Sequence, residues 1–109
     1  MKTVAFIGSS LDDLRSLPQA VRREAGYQLD QVQQGHMPDD FKPMPSIGKA
    51  VMEIRIWDEA GAFRVIYVAK LAQTVFVLHC FQKKTPRTSK RDLDLAASRY
   101  KEMKKEIES

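Results

Sequence analysis

The sequence predicts one small α+β domain, spanning residues 1–109, in which an antiparallel sheet packs against helices. The chain has 109 residues, of which 43% are hydrophobic, and this suits a single core rather than two domains. Residues 51–81 are rich in β-branched and aromatic side chains, which favour strands. Residues 18–34 and 89–107, on either side, carry apolar side chains at helical spacing. Consecutive strands flanked by helices are typical of the α+β class.

The N-terminal third predicts a strand and two helices. Residues 2–7 form a short apolar run that is stopped by Gly8, and they predict the first strand. Residues 9–17 predict a short helix, because a serine stands at its start and two aspartates follow in its first turn. Pro18 begins a second helix, which Gly35 ends. One face of this helix is apolar and consists of Val21, Ala25, Leu29 and Val32.

The middle of the chain predicts a long loop and then three strands. Residues 36–48 contain three prolines and a glycine, and they predict a loop that wraps over the sheet edge. Residues 51–57 and 62–71 predict two strands joined by the tight turn of residues 58–61. Residues 74–81 predict a third strand of the same sheet.

The hairpin of residues 51–71 has two chemically different faces. A turn of even length predicts that Arg55 lies opposite Arg64, whereas a turn one residue longer or shorter separates them. One face is apolar and consists of Met52, Ile54, Ile56, Phe63, Val65 and Tyr67. The other is mixed and consists of Glu53, Arg55, Trp57, Arg64, Ile66 and Val68. We expect the apolar face to pack on the helices, which leaves the mixed face for water or a ligand.

The last element is a helix that runs to the C-terminus. Ser89 with Asp92 three residues later is typical of a helix start, and apolar side chains then recur at helical spacing. The predicted element order is therefore β-α-α-β-β-β-α.

Several classes of function lack support in the sequence. The single cysteine, Cys80, lies in an apolar run, which indicates a core residue and a cytoplasmic protein without disulfides. Two distant histidines and one cysteine make no metal-ligand set, and the five glycines form no phosphate-binding loop. No apolar run approaches the length of a membrane span. We therefore expect no metal, no cofactor and no membrane contact.

The positive charge is concentrated in one segment. The formal net charge is +4, and the nine residues from Lys83 to Arg91 carry five cations and no acid, so that the rest of the chain sums to −1. Charge runs are usually solvated faces. This one has no balancing acid and precedes a helix N-terminus, where backbone N–H groups also attract anions. A local patch of this kind predicts a local anionic partner.

Two interpretations of the strand side chains stay open. Arg55 and Arg64 either pair with Glu53 and Glu59 to keep the hairpin soluble, or they form a phosphate-binding surface with the basic segment. Aromatic residues in the strands of a small domain are normally core, although aromatic rings also stack on bases. These aromatic residues are Trp57, Tyr67 and Phe81. His79, inside an apolar strand, is predicted to be a satisfied core residue rather than a catalyst.

Four motifs between Glu53 and Tyr100 resemble a known family in their order. They are Glu53-Ile54-Arg55, Arg64-Val65-Ile66-Tyr67, Leu78-His79-Cys80-Phe81-Gln82-Lys83-Lys84-Thr85, and Ala96 to Arg99. The chain resembles the RelE/HigB family of bacterial toxins, in particular its phage-derived HigB-like branch. The resemblance implies the small RelE-like fold, with the sheet packed on a helical hairpin and followed by a C-terminal helix.

The resemblance also implies a function. Family members are metal-independent endoribonucleases that usually cut mRNA on the ribosome, and an antitoxin, commonly of helix-turn-helix type, holds them inactive. The alternatives are a non-catalytic partner-binding module and a ParE-like gyrase poison on the same fold.

The roles implied for individual residues follow from RNA chemistry. RNA supplies its own nucleophile, the 2′-OH, and cations stabilise the charge that develops on the phosphate. The expected catalytic residues are Arg64, Lys83, Lys84 and Tyr67. The expected RNA-binding residues are Arg55, Lys49, Arg87, Lys90 and Arg91. Lys49 and Tyr67 are the candidates for the proton-transfer roles that relatives give to other side chains.

Overall fold

The computed structural model describes residues 1–71 and 73–108. The chain forms five strands and three helices: β1 (Thr3–Phe6), α1 (Ser10–Arg15), α2 (Gln19–Gln33), β2 (Phe41–Pro43), β3 (Val51–Asp58), β4 (Gly61–Val68), β5 (Thr74–Lys83) and α3 (Lys90–Glu108). The predicted α+β class is confirmed. The predicted order is also close, and the one added element is β2, which lies within the predicted loop. Within the described ranges no helix is both long and apolar enough to cross a bilayer.

The five strands form one mixed sheet with the order β1-β5-β4-β3-β2. The pairings of β3 with β4 and of β4 with β5 are antiparallel, as predicted, and β2 also pairs antiparallel with β3, but β1 is parallel to β5. The prediction of a purely antiparallel sheet was therefore wrong at this edge. β1 and β5 are distant in the chain and are not joined by a hairpin turn, so no local sequence signal determines their relative direction. At the other edge, Pro43 in β2 is tolerated because one side of an edge strand has no neighbouring strand, so the missing N–H of a proline there breaks no ladder hydrogen bond.

The turn between β3 and β4 sets the register of the hairpin. Asp58 pairs with Gly61, so only two residues lie between the paired ends, and Arg55 lies opposite Arg64, as expected for a turn of even length. Gly61 has a φ of +134°, which a side chain would strain. An Asp58 oxygen accepts a hydrogen bond of 3.0 Å from the backbone N–H of Ala60. The local chemistry of the turn thus determines which face every side chain of β3 and β4 occupies.

Two cores cover the two faces of the sheet. The apolar face packs on α2, and its buried members include Val21, Ala25, Leu29, Val32, Ile54, Phe63, Val65 and Tyr67. The mixed face is partly covered by α3 and by the loop after β2, with Met44, Ile47, Val51, Ile66, Val68, Leu78, Ala96 and Met103 buried there. The prediction of an open mixed face is therefore correct only near the β3–β4 turn. There, Arg55 is half-buried and Trp57 is exposed.

Candidate functional site

The open part of the mixed face borders a groove of about 470 Å³. Its walls are β2 and the loop that follows it, the mixed face, and the segment after β5. Lys42, Arg55, Lys83 and Arg87 line it, and Glu53 is the one acid among its lining residues. We call this the cationic groove. Four cations against one carboxylate give the groove a positive potential, which attracts anions.

The strand register explains why these side chains meet. Arg55 pairs with Arg64, and Arg64 with Phe81, so these three residues form one row across β3, β4 and β5. The next row on the same face consists of Trp57, Ala62 and Lys83. Side chains that oppose each other across strands lie on the same face. Arg55 and Lys83 therefore reach the same groove from different strands.

Arg64 lies beneath this surface rather than on it. It is 2% exposed, and its Nε is 3.5 Å from Oε1 of Glu53, an ion pair that lacks hydrogen-bond geometry. Its Nη1 donates a 2.9 Å hydrogen bond to the carbonyl of Phe63, and its guanidinium carbon is 5.0 Å from the ring centroid of Trp57. Burial lowers the pKa of Arg64, and the charge of Glu53 opposes that effect. The guanidinium stays charged at neutral pH because its ordinary pKa is far higher.

Arg55 is the more available of the two strand arginines. Its Nη1 is 3.8 Å from Asp40 Oδ1, and its side chain is half-buried. Its Nε is buried, and among the described residues it has no hydrogen-bond partner. The sequence analysis allowed Arg55 and Arg64 to form ion pairs with Glu53 and Glu59. Arg64 does pair with Glu53, whereas Arg55 pairs with Asp40. Arg55 lines the cationic groove and reaches it from β3.

Lys83 and Lys84 point to different places, because consecutive residues at the end of a strand alternate in direction. Lys83 lines the cationic groove. Lys84 lines a second pocket, of about 430 Å³, between α1, β5 and α3. Arg91 and His79 line this second pocket as well, and we call it the histidine pocket.

The histidine pocket contains a polar cluster that the sequence analysis missed. His79 Nε2 is 2.7 Å from Asp92 Oδ1, and His79 Nδ1 is 3.7 Å from Asp13 Oδ2. Arg99 is 3.2 Å from the same Asp13 oxygen and donates hydrogen bonds to the Leu78 carbonyl and to Ser9 Oγ. The signal in the sequence was the Ala96 to Arg99 motif, whose arginine had no assigned role.

His79 itself is buried, in agreement with the predicted core position. Its ring stacks on Phe81 with centroids 4.6 Å apart. Its Nδ1 makes no hydrogen bond within the described part of the chain, so the prediction that the ring is satisfied holds for Nε2 alone.

Tyr67 lies on the opposite face of the sheet from the cationic groove. It is 2% exposed, belongs to the core under α2, and lines a separate cavity of about 110 Å³. Burial raises the pKa of Tyr67 to about 12. The structure therefore does not place Tyr67 beside Arg64, Lys83 and Lys84, the other residues predicted to be catalytic.

Lys49 and Lys90 also lie outside both pockets. Lys49 is in the turn before β3, where its carbonyl accepts a 3.3 Å hydrogen bond from Tyr100. Lys90 is 2.7 Å from Asp94 and its side chain is 89% exposed. Of the nine predicted site residues, the structure thus brings Arg55, Lys83 and Arg87 to one groove, with Arg64 beneath it, and Lys84 and Arg91 to the neighbouring pocket.

The described residues contain no group of three His, Cys, Asp or Glu side chains arranged to hold a metal ion. Cys80 is buried, and burial raises the pKa of its thiol to about 12, which leaves it protonated at neutral pH.

Solved structures share this fold. The structure of the isolated E. coli RelE toxin, P21 form, matches with a TM-score of 0.56 and 19% identity over 98% of this chain and 99% of that chain. The intact E. coli RelBE toxin-antitoxin complex matches with a TM-score of 0.54 and 18% identity over 78% of this chain and 100% of that chain. At this identity the similarity establishes the fold, and it confirms the RelE-like fold predicted from the sequence. No match was found among curated proteins.

The family comparison agrees with the resemblance drawn from the motifs. The model of the family described as "Phage derived protein Gp49-like (DUF891)" matches residues 12–101, which include the whole hairpin, the basic segment and most of α3. The chain therefore belongs to the phage-derived Gp49-like family.

Proposed function

We propose that this protein is the toxin of a type II toxin-antitoxin system and that it acts as a metal-independent endoribonuclease on mRNA, in the cytoplasm and on the ribosome. The observation that carries the proposal is the convergence of Arg55, Lys83 and Arg87 on one groove. The RelE fold and the family membership support the same function.

The groove provides the electrostatics for RNA cleavage by the 2′-OH. The 2′-oxygen attacks the phosphorus as the bond to the 5′-oxygen breaks, which leaves a 2′,3′-cyclic phosphate and a 5′-hydroxyl. The 2′-OH loses its proton and the leaving oxygen gains one, so atoms and charge balance. Negative charge builds on the phosphate oxygens during attack, and cations fixed in advance stabilise it.

We assign roles within the site by position. Lys83 contacts the scissile phosphate, and Arg64 adds positive charge from beneath. Arg55 and Arg87 hold the flanking phosphates from the two walls of the cationic groove. Lys84 and Arg91, in the histidine pocket, extend the track of the RNA beyond the groove.

The proposed partners follow from the same surface. The cationic groove takes mRNA presented by the ribosome. The antitoxin, expected to be of helix-turn-helix type, keeps the toxin inactive. RelE, which shares this fold, is found in a toxin-antitoxin complex.

Induced expression tests the function directly. The wild type should stop growth, and mapping of 5′ ends should reveal truncated transcripts. Lys83→Ala with Arg87→Ala should restore growth. The matched control is Arg22→Ala with Arg23→Ala, which removes the same charge from the exposed side of α2 and should leave the toxin active. Normal growth with the induced, folded wild type contradicts the proposal.

A second candidate is a non-catalytic relative that binds a partner on the same fold. The observation that favours it is the complete burial of Arg64 with Glu53. This candidate predicts a stable antitoxin complex and intact mRNA on purified ribosomes. Transcript mapping separates the nuclease from a gyrase poison, which stops growth by breaking DNA and leaves mRNA uncut, and continued growth under induction separates the non-catalytic relative from both.

A further inference from the structure

Trp57 is exposed, although aromatic residues in the strands of a small domain are normally part of the core. It is the single tryptophan of the chain, and 67% of its surface is accessible. Large aromatic side chains usually contribute to cores and interfaces because they bury much area. The exposed indole at the end of β3 is therefore available for contact with another molecule.

The indole ring is held in a fixed orientation. Its Nε1 donates a 3.1 Å hydrogen bond to Oδ2 of Asp40. The guanidinium of Arg64 is 5.0 Å from the ring centroid and covers one ring face, in a cation–π contact. Arg64 is itself fixed by burial and by Glu53. The other ring face is thus presented to solvent at little further cost in conformational entropy.

The ring lies beside the cationic groove. Trp57, Ala62 and Lys83 form one row across three strands, and the middle side chain is only a methyl group. Adjacent strands are about 4.8 Å apart, so the Cα atoms of Trp57 and Lys83 are roughly 10 Å apart on the same face. Ala62 leaves the space between them open. A phosphate held by Lys83 or Arg55 brings a neighbouring base within reach of the indole.

The surroundings of Trp57 favour a nucleobase over a protein side chain. On its far side a cleft of about 400 Å³ is lined by four acids and one cation, Arg55, and this excess of acids disfavours phosphate there; the acids are Glu24, Asp39, Asp40 and Asp58. In the described part of the chain, no other exposed large hydrophobic side chain lines this cleft or the cationic groove. A lone aromatic face among charges suits the π-face of a base better than an apolar protein patch.

We propose that Trp57 is a stacking residue for an unpaired RNA base next to the phosphate bound in the cationic groove. This inference rests on the proposed function and adds a base-binding subsite to it. Because stacking accepts any base, the subsite adds affinity and positions the strand without reading its sequence.

The fluorescence of the single tryptophan gives a direct test. The probe is a short single-stranded RNA with 2′-O-methyl groups, which cannot be cleaved, so binding is measured whether or not the protein is a nuclease. We expect this RNA to quench Trp57. Linear polyphosphate, which has charge but no bases, should displace the RNA and restore the emission of the free protein.

Three variants show whether RNA binding depends on the Trp57 ring itself. Trp57→Ala should weaken RNA binding about fivefold or more, whereas Trp57→Phe, which keeps an aromatic ring over Arg64, should retain most of it. Tyr27→Ala is the matched control, because Tyr27 is exposed on α2 beyond the other face of the sheet. Thermal melting of each variant shows whether a loss comes from unfolding.

The outcomes are distinct. RNA that binds through Lys83 and Arg87 without quenching Trp57 overturns the inference, and so does a failure of RNA to bind at all. A Trp57→Ala variant with normal RNA affinity and lost antitoxin binding also overturns it and makes Trp57 a protein-docking residue. Stacking without mRNA cleavage supports the subsite and overturns the nuclease, whereas cleavage with no stacking does the reverse.

Discussion

Thr88 Oγ1 donates a hydrogen bond of 3.0 Å to Oε2 of Glu53, and this bond joins the basic segment to the buried Glu53–Arg64 ion pair. One carboxylate therefore faces the arginine beneath the cationic groove and also fixes the segment that carries Arg87. The positions of the mixed face and of the segment after β5 therefore depend on each other through Glu53.

Thr88→Val should loosen the basic segment without unfolding the protein. A single neutral-to-charged hydrogen bond of this kind contributes about 1.5–3 kcal/mol when buried, and less here because Thr88 is half-buried. We expect a small fall in the free energy of unfolding and faster hydrogen exchange between residues 84 and 89. Thr85→Val is the comparison, because it removes a hydrogen bond within the same segment, from Thr85 Oγ1 to the Arg87 carbonyl, and leaves the bond to Glu53 in place. Unchanged exchange in Thr88→Val would show that Glu53 does not fix the segment.

Glu53→Gln should be strongly destabilising. It leaves the charge of Arg64 buried without its partner, and breaking a buried pair typically costs about 3–5 kcal/mol. Urea unfolding measures the loss. Glu53→Leu combined with Arg64→Met, which removes both charges, should recover much of the stability. If the double variant is as unstable as Glu53→Gln, the loss comes from packing and not from the unpaired charge.

Arg99→Met should weaken the attachment of α3 to α1 and β5. The guanidinium donates to the Leu78 carbonyl and Ser9 Oγ and pairs with Asp13, and its loss leaves three acceptors from two other elements with fewer partners. We expect a loss of about 3 kcal/mol or more in the free energy of unfolding. Lys101→Ala, exposed on the same helix, should change the stability little.

Stability should fall at high pH. Burial raises the pKa of Cys80 from an ordinary 9.0 to about 12 and that of Tyr67 from 10.0 to about 12. Both groups are neutral in the folded protein, so their stabilising effect is complete below about pH 9 and is lost as the pH rises toward 12. Denaturant unfolding between pH 8 and pH 11 measures this. In the same experiment Cys80 should resist thiol reagents until the protein unfolds, and rapid labelling of the folded protein would contradict its burial.

The slope of RNA affinity against salt concentration should show how many cations of the groove contact phosphates. Removal of one phosphate contact lowers the slope of log affinity against log salt by about 0.7 for a single strand. We expect this change for Arg87→Ala and for Lys83→Ala. Lys90→Ala should leave the slope unchanged, because Lys90 pairs with Asp94 outside the groove. Equal slopes for all three variants would place the RNA elsewhere.

The hairpin was predictable from its strand residues and turn, but its register was predicted only for a turn of even length. The paired arginines followed from the two-residue connection alone. The burial of Arg64 did not follow, because it requires Glu53 beside it and the Trp57 ring above it. The exposure of Trp57 depends on where α3 stops covering the mixed face, which strand propensity does not encode.

The histidine pocket could not be predicted from the sequence for a similar reason. Its members Asp13, His79, Asp92 and Arg99 come from three elements that are distant in the chain. The parallel pairing of β1 with β5 likewise depends on where the helices place β1. In both cases long-range packing decides the contact, and no short segment carries its signature.

The outer edge formed by β2 limits how a partner can attach. This strand has three residues, and Pro43 lacks the N–H that an added strand would need, while the exposed Lys42 places a charge beside it. A partner that extends the sheet by backbone pairing must therefore use the β1 side. Any antitoxin that instead covers the groove beside β2 has to do so with side chains, and acidic ones are the natural complement to Lys42, Arg55 and Arg87.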